Sequence, residues 1–250
     1  MRRVYFLHGF LGDASDAEPL KSAWQRHGGD DHMEITSIPL PIAADWQAGV
    51  DAITAQLEPD SHLVGYSMGA RLALGVMLQQ PQFVRSLAFV AGNPGIKESE
   101  RPDRWAHDQQ WCDRLISEPI DSFLCDWYQQ PVFQRMSPQV RSDLIARRTQ
   151  QLSTQDAKQR QVHLLQSYSV ACQPNYWERL DPLSCPVLAI AGERDSKYVT
   201  VCQKMQFANQ HIQLSVIPHA AHALVSESPA ELAATLLRFW NRIDEVSLEK

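Results

Sequence analysis

The stretch Ser61-His62-Leu63-Val64-Gly65-Tyr66-Ser67-Met68-Gly69-Ala70-Arg71-Leu72 decides the fold. His62 to Gly65 form a short apolar run that reads as a buried strand, and a helical pattern begins right after Ser67. Between them, Gly65-Tyr66-Ser67-Met68-Gly69 matches G-x-S-x-G, which sets a serine on a sharp strand-to-helix turn. The glycines let the strand and helix backbones pass close together while the serine takes a strained conformation. The motif predicts an exposed, activatable hydroxyl at the end of a strand.

The residues on both sides repeat the strand–helix alternation. Val4-Tyr5-Phe6-Leu7 is a first strand, leading into His8-Gly9-Phe10-Leu11-Gly12. Ser15-x-x-Glu18 fits a capping box with Pro19 in the first turn, so a helix is expected to about Arg26, stopped by Gly28-Gly29. Glu34 to Leu40 is a second strand. From Asp45 to Leu57, Trp46, Val50, Ile53 and Leu57 recur at helical spacing. After the helix following Ser67, Pro81 is a stop, and further strands read over Ser86–Gly92, Pro186–Gly192 and Gln213–Pro218. A last helix opens at Ser228-Pro229, where Glu231 completes a second capping box, and presents Leu232, Leu236, Phe239 and Ile243.

Strands alternating with helices imply a mainly parallel, doubly wound α/β sheet. From 94 to 169 strands vanish and segments such as Arg104–Ile116 and Pro138–Arg148 read as helices. The expected organisation is an α/β core built from residues 1–93 and 170–250, with a helical lid, 94–169, over the carboxyl edge where ligands of such sheets bind.

Composition narrows the class. The chain has 250 residues, 44% of them hydrophobic, and a net charge of −6, which argues against nucleic acid as a partner. No apolar run approaches a membrane span, and Val4–Leu7 is too short for a signal-peptide core. The odd, scattered cysteines Cys112, Cys125, Cys172, Cys185 and Cys202 read as reduced thiols of a cytoplasmic protein. No ligand spacing suggests a metal, and no motif suggests a cofactor.

A serine nucleophile needs a base, and the base needs an orienting carboxylate; in this arrangement they follow in the order Ser, Asp or Glu, His. Asp195, in Gly192-Glu193-Arg194-Asp195, is the expected carboxylate, with Glu193 as its rival. His222, in Pro218-His219-Ala220-Ala221-His222, is the expected base; it is favoured over His219 because it lies farther past the strand. The backbone N–H groups of Phe10 and Met68 are the expected oxyanion hole, and His8 is expected to prop its loop.

Arg71 lies one helical turn beyond Ser67, where a cation opposes the helix dipole unless an anion is near. That anion is either a buried Asp or Glu, or a ligand carboxylate or phosphate. Between Lys97 and Arg160, 10 Lys/Arg balance 10 Asp/Glu, so the lid is cationic relative to a core that carries the whole −6. Arg71 together with lid arginines suits a small polycarboxylate.

These residues resemble the α/β-hydrolase superfamily, in a shortened form without a leading β-hairpin. Within it, Leu7–Gly12, Gly65–Arg71, Arg104-Trp105, Asp126-Trp127-Tyr128-Gln129-Gln130-Pro131-Val132-Phe133 and Gly192–Tyr198 are similar to the 2-succinyl-6-hydroxy-2,4-cyclohexadiene-1-carboxylate synthases of menaquinone biosynthesis. Ala70 replaces a second glycine usual in that family. The resemblance implies a lyase that releases pyruvate from 2-succinyl-5-enolpyruvyl-6-hydroxy-3-cyclohexene-1-carboxylate, with Ser67 acting as base under His222 and Asp195. It also assigns Arg71, Arg104 and Arg148 to substrate carboxylates, and Tyr66 and Trp127 to the pocket wall. Arg147 adjoins Arg148, and a one-residue slip would exchange them. Two other readings share the residues. A carboxylesterase, thioesterase or C–C bond hydrolase of an anionic substrate would use Ser67 as nucleophile, and a binding protein could keep the fold without the chemistry.

Overall fold

The computed structural model describes residues 2–27, 33–181, 183 and 185–248. Gly28 and Gly29, the expected helix stop, lie outside them. Six parallel strands, β1 (Arg2–Leu7), β2 (Met33–Ile38), β3 (Ser61–Tyr66), β4 (Val84–Val90), β5 (Val187–Gly192) and β6 (Ile212–Ile217), form one sheet in the order β2-β1-β3-β4-β5-β6. The central strands β3 and β5 are buried nearly end to end, as a sheet covered on both faces requires, while the edge strands β2 and β6 are buried only in part.

Side-chain alternation distributes β1 between two cores. Val4 and Phe6 face the layer of α1 (Glu18–Arg26) and α10 (Pro229–Leu248), packed on Leu20, Trp24, Leu236 and Trp240. Tyr5 and Leu7 face the opposite layer, where α2 (Trp46–Thr54), α3 (Met68–Gln79) and α8 (Ser196–Ala208) bury Val50, Leu72 and Met205. The sheet is doubly wound.

Between β4 and β5 lie α4 (Arg101–Ser117), α5 (Ile120–Trp127), α6 (Pro138–Gln151) and α7 (Gln155–Tyr168), with no strand among them. The second half of this segment is tied to the loops after β1 and β2. Gln151 Nε2 donates to Asp13 (2.6 Å), Arg160 Nη2 to the Leu40 carbonyl (2.6 Å), Ser167 Oγ to the Ala43 carbonyl (2.7 Å) and Tyr168 Oη to the Pro41 carbonyl (2.7 Å).

One local expectation fails. The Ser15 hydroxyl does not cap α1; it donates to Asp13 Oδ1 (2.6 Å), and Asp13 caps a 3-10 turn, Ala14–Ala17, that runs into α1. Glu18 pairs with Lys21 (2.9 Å) instead of reaching back. The short acceptor two residues upstream outcompetes the box. At α2 the expected Asp45 is the N-cap itself, accepting from the Ala48 N–H at 2.8 Å.

Candidate active site

The reversal of strand order beside β1 and β3 opens a crevice at their carboxyl ends, and the loops after β1, β3, β5 and β6 converge on it. At the end of β3, Ser67 has φ +52° and ψ −107°, a strained conformation for a residue with a Cβ. Its N–H continues the sheet by donating to the Val90 carbonyl (2.8 Å), and its own carbonyl accepts from Arg71 N–H (3.3 Å) to start α3. Such a sharp turn holds only if the backbones meet closely. A Cβ at Gly65 would collide with Ala70 Cα, and one at Gly69 with the Leu7 carbonyl oxygen.

Asp195 follows β5 and His222 follows β6; both are buried. His222 Nδ1 donates to Asp195 Oδ2 (2.7 Å), which leaves Nε2 to accept from the Ser67 hydroxyl (3.2 Å). The imidazole is enclosed by the rings of Tyr198, Phe133 and Tyr66, at centroid distances of 4.7, 5.5 and 5.7 Å. The rival residues are occupied elsewhere. His219 N–H donates to Glu193 Oε2 (2.9 Å) at the surface, where the His219 side chain is 82% exposed.

The His222 loop has a support that its sequence did not reveal. Glu227, in the one-turn helix α9 (Leu224–Glu227), accepts from the N–H groups flanking the histidine, Ala221 (3.1 Å) and Ala223 (3.0 Å). Burial raises the pKa of this carboxyl, against the two N–H donors that lower it. Glu227→Ala strands both amides and is expected to cost about 2 kcal/mol, read as a lowered urea midpoint at unchanged slope.

After β1, His8 Nε2 accepts from Leu40 N–H (3.2 Å), so Nδ1 carries the proton and donates to the Gly9 carbonyl (2.8 Å). Burial lowers the pKa of His8, favouring this neutral form. Gly12 N–H also donates to the Gly9 carbonyl (3.1 Å). With that carbonyl turned into the loop, the N–H across the same planar peptide, that of Phe10, points the opposite way. The buried Gln161 of α7 secures the rest of the turn, accepting from Leu11 N–H (3.1 Å) and donating to the Gly12 carbonyl (3.3 Å), while Leu11 sits at φ +61°. Met68 N–H, at the first residue of α3, has no acceptor within its helix.

Two cavities meet at Ser67, Phe10, Trp127, Phe133 and His222. The larger, about 430 Å³, is also lined by Arg71, Arg104 and Lys197, against one carboxylate, Glu100. Arg71 is buried and has no carboxylate in ion-pair distance among the described residues. It donates instead to Gln173 Oε1 (3.1 Å). Burial, and then the charge of Arg104, lowers its pKa to about 10, so it remains a cation at neutral pH. Arg104 Nε grips Asp108 (2.9 Å to each oxygen), and Asp108 also accepts from Ser169 Oγ (2.6 Å).

The smaller cavity, about 60 Å³, is lined by Tyr66, Tyr128, Asp16 and Arg148. Arg148, not Arg147, reaches it. Its guanidinium donates to Asp16 Oδ2 (2.6 Å) and Gln151 Oε1 (2.6 Å), so part of its charge is met within the protein. Arg147 lies 3.3 Å from the other oxygen of Asp16 and is more exposed. Trp127 sits between the cavities, 5.0 Å from both Phe10 and Trp111. The structure therefore brings together Ser67, Asp195, His222, Phe10, Met68, Arg71, Arg104, Tyr66 and Trp127 in one crevice, with Arg148 in its side chamber. Asp16, Gln161, Gln173 and Glu227 are additions that no motif or spacing singled out.

A model of the alpha/beta hydrolase family matches residues 4–235. The chain belongs to that family and is an enzyme of the superfamily. Its relatives narrow the group. It is 33% identical over 242 residues to the 2-succinyl-6-hydroxy-2,4-cyclohexadiene-1-carboxylate synthase of Salmonella heidelberg (strain SL476), covering 93% of this chain and 91% of that protein. It is 32% identical over 254 residues to the protein of the same name from Escherichia coli O7:K1, covering 94% of each. Among solved structures, that of MenH from S. aureus superposes with a TM-score of 0.85 at 25% identity, over 97% of this chain and 94% of that one. A thermophilic esterase from Thermogutta terrifontis shares the fold at a TM-score of 0.76 and 18% identity, over 97% of this chain and 90% of that one. No helix among the described residues is long and apolar enough to cross a membrane.

Proposed function

We propose that this chain is a lyase that eliminates pyruvate from 2-succinyl-5-enolpyruvyl-6-hydroxy-3-cyclohexene-1-carboxylate, giving 2-succinyl-6-hydroxy-2,4-cyclohexadiene-1-carboxylate, in the cytoplasm. The observation that carries this beyond a generic serine hydrolase is Arg71, a buried cation without a carboxylate partner among the described residues, in the cavity that opens on Ser67. The names of the relatives supply the product, and the family resemblance supplies the substrate and the pyruvate that leaves.

In the mechanism, His222 Nε2 takes the hydroxyl proton of Ser67, and Asp195 holds the imidazole in the tautomer that can accept it. Ser67 Oγ then removes the proton α to the succinyl ketone. Charge that develops on the ketone oxygen is met by the Phe10 and Met68 N–H groups at the positive end of α3. The electron pair moves through the ring alkene and breaks the bond to the enolpyruvyl oxygen. The departing enolate takes up the proton held by His222 and becomes pyruvate. The balance closes without a metal, a cofactor or an acyl-enzyme. Arg71 and Arg104 bind carboxylates in the large cavity, Arg148 contributes from the side chamber, and residues 94–169 act as the lid, with Trp127 and Tyr66 as walls.

The test is pyruvate release by the pure protein, followed by a coupled dehydrogenase assay. Cleavage of simple esters with burst kinetics and no pyruvate would overturn the lyase reading in favour of a hydrolase. Arg104→Ala is expected to lower kcat/KM by roughly 30-fold, about 2 kcal/mol for a lost carboxylate contact, mostly through KM.

A further inference from the structure

The partner of Arg71 is an unusual choice. A buried guanidinium is ordinarily met by an opposite charge, because desolvation is otherwise uncompensated. Here an amide takes that place. Gln173 is fully buried, and its polar groups are committed in three directions. Its Nε2 donates to the Asn93 carbonyl (3.0 Å), its backbone carbonyl accepts from Arg101 Nη2 (2.9 Å), and its backbone N–H donates to the Ser169 carbonyl (3.2 Å). A carbonyl can only accept, so Asn93 dictates that the NH₂ end of the amide faces it and that Oε1 faces Arg71. The Trp46 ring, 5.8 Å from the guanidinium carbon, supplies a face but no charge.

We propose that Gln173 determines specificity at this site through its neutrality. It fills the place beside Arg71 with a neutral group where a carboxylate would form an ion pair, so that the cation stays available for a carboxylate of the ligand. A glutamate of the same shape would close an internal ion pair, as Asp16 does on Arg148 in the neighbouring chamber. The two arginines thus divide the work: one is matched within the protein, and the other is matched only when an anion binds. This inference rests on the reading that the substrate is a polycarboxylate.

The test compares the wild type with Gln173→Glu, which keeps the shape and adds a charge, and with Gln173→Met, which keeps the length and the neutrality but removes the hydrogen bonds. The probe is succinate, titrated calorimetrically, so the readout needs no turnover. The expected result is succinate binding by the wild type, at least about 10-fold weaker binding by Gln173→Glu, and binding by Gln173→Met within about threefold of wild type. In turnover, the same split appears as a KM effect in Gln173→Glu that exceeds its kcat effect. Binding by Gln173→Glu within threefold of wild type, equal losses in both variants, or no succinate binding by the wild type would overturn the proposal. Should Gln173→Glu not fold, the methionine variant decides, since a loss of 10-fold or more there assigns Gln173 to orientation alone and overturns the charge argument. Absence of pyruvate release by a wild type that binds succinate would fail the lyase reading and leave this one standing.

Discussion

Replacing Ser67 with glycine is expected to abolish turnover and to leave the protein more stable. Ser67 is held at φ +52° and ψ −107°, a region that costs a residue with a Cβ about 1–3 kcal/mol and costs glycine almost nothing. The added freedom of glycine in the unfolded chain takes back roughly 0.5–1 kcal/mol, so a net gain of about 1 kcal/mol remains. Ser67→Ala is the control: it loses the hydroxyl but keeps the backbone strain, so its stability stays near wild type. Both variants lose the group that exchanges a proton with His222 Nε2, and kcat should fall by at least about 10³-fold in each. Denaturant midpoints and pyruvate release, measured on the three proteins together, test the pair of effects. A glycine variant less stable than the alanine variant would refute the strain argument. Retention of more than a few per cent of activity in either would remove Ser67 from the chemistry.

The second large effect is on folding. Gly69→Ala places a methyl against the carbonyl oxygens of Leu7 and His8, which are backbone atoms that cannot swing aside. The helix must retreat from β1, and the expected loss is about 3–5 kcal/mol, read as little soluble protein or a melting point lowered by many degrees. The neighbouring Ala70→Gly is the contrast. It removes one buried methyl from a helix and should cost only about 1 kcal/mol. Any folded Gly69→Ala protein should also turn over slowly, because a retreating α3 draws the Met68 N–H away from the Phe10 N–H.

The alternating core and the elbow were legible because both rest on local rules. Short apolar runs exposed β1, β3 and β5, helical spacing exposed α2, and the chain order Ser, Asp, His at the strand ends then selected Asp195 and His222. Boundaries shifted by up to three residues, and caps and turns competed most clearly at Ser15, whose hydroxyl found Asp13 before it could cap α1. Illegible were the residues that act across long sequence separations. Gln173 meets Arg71 over 102 positions, Gln161 meets Leu11 over 150, and Arg148 meets Asp16 over 132. Polar side chains of this kind carry no periodicity, and their partners are set by tertiary packing alone. The open question at Arg71, a protein carboxylate or a ligand, was likewise one that only the folded neighbourhood could answer.

The bonds from Gln161 to Leu11 and Gly12, and from Arg148 to Asp16, also bear on modularity. Exchanging helical caps between members of a superfamily is an attractive route to chimaeras with new selectivity. In this protein such a graft would carry away the amide that staples the β1 turn, as well as the cation that matches Asp16. Moving residues 94–169 alone would therefore leave this core with a loosened Phe10 amide and an orphaned acid, and the recipient with an unmatched Arg148. The smallest unit that keeps these bonds is discontinuous: the helical segment together with residues 8–16 and 40–43.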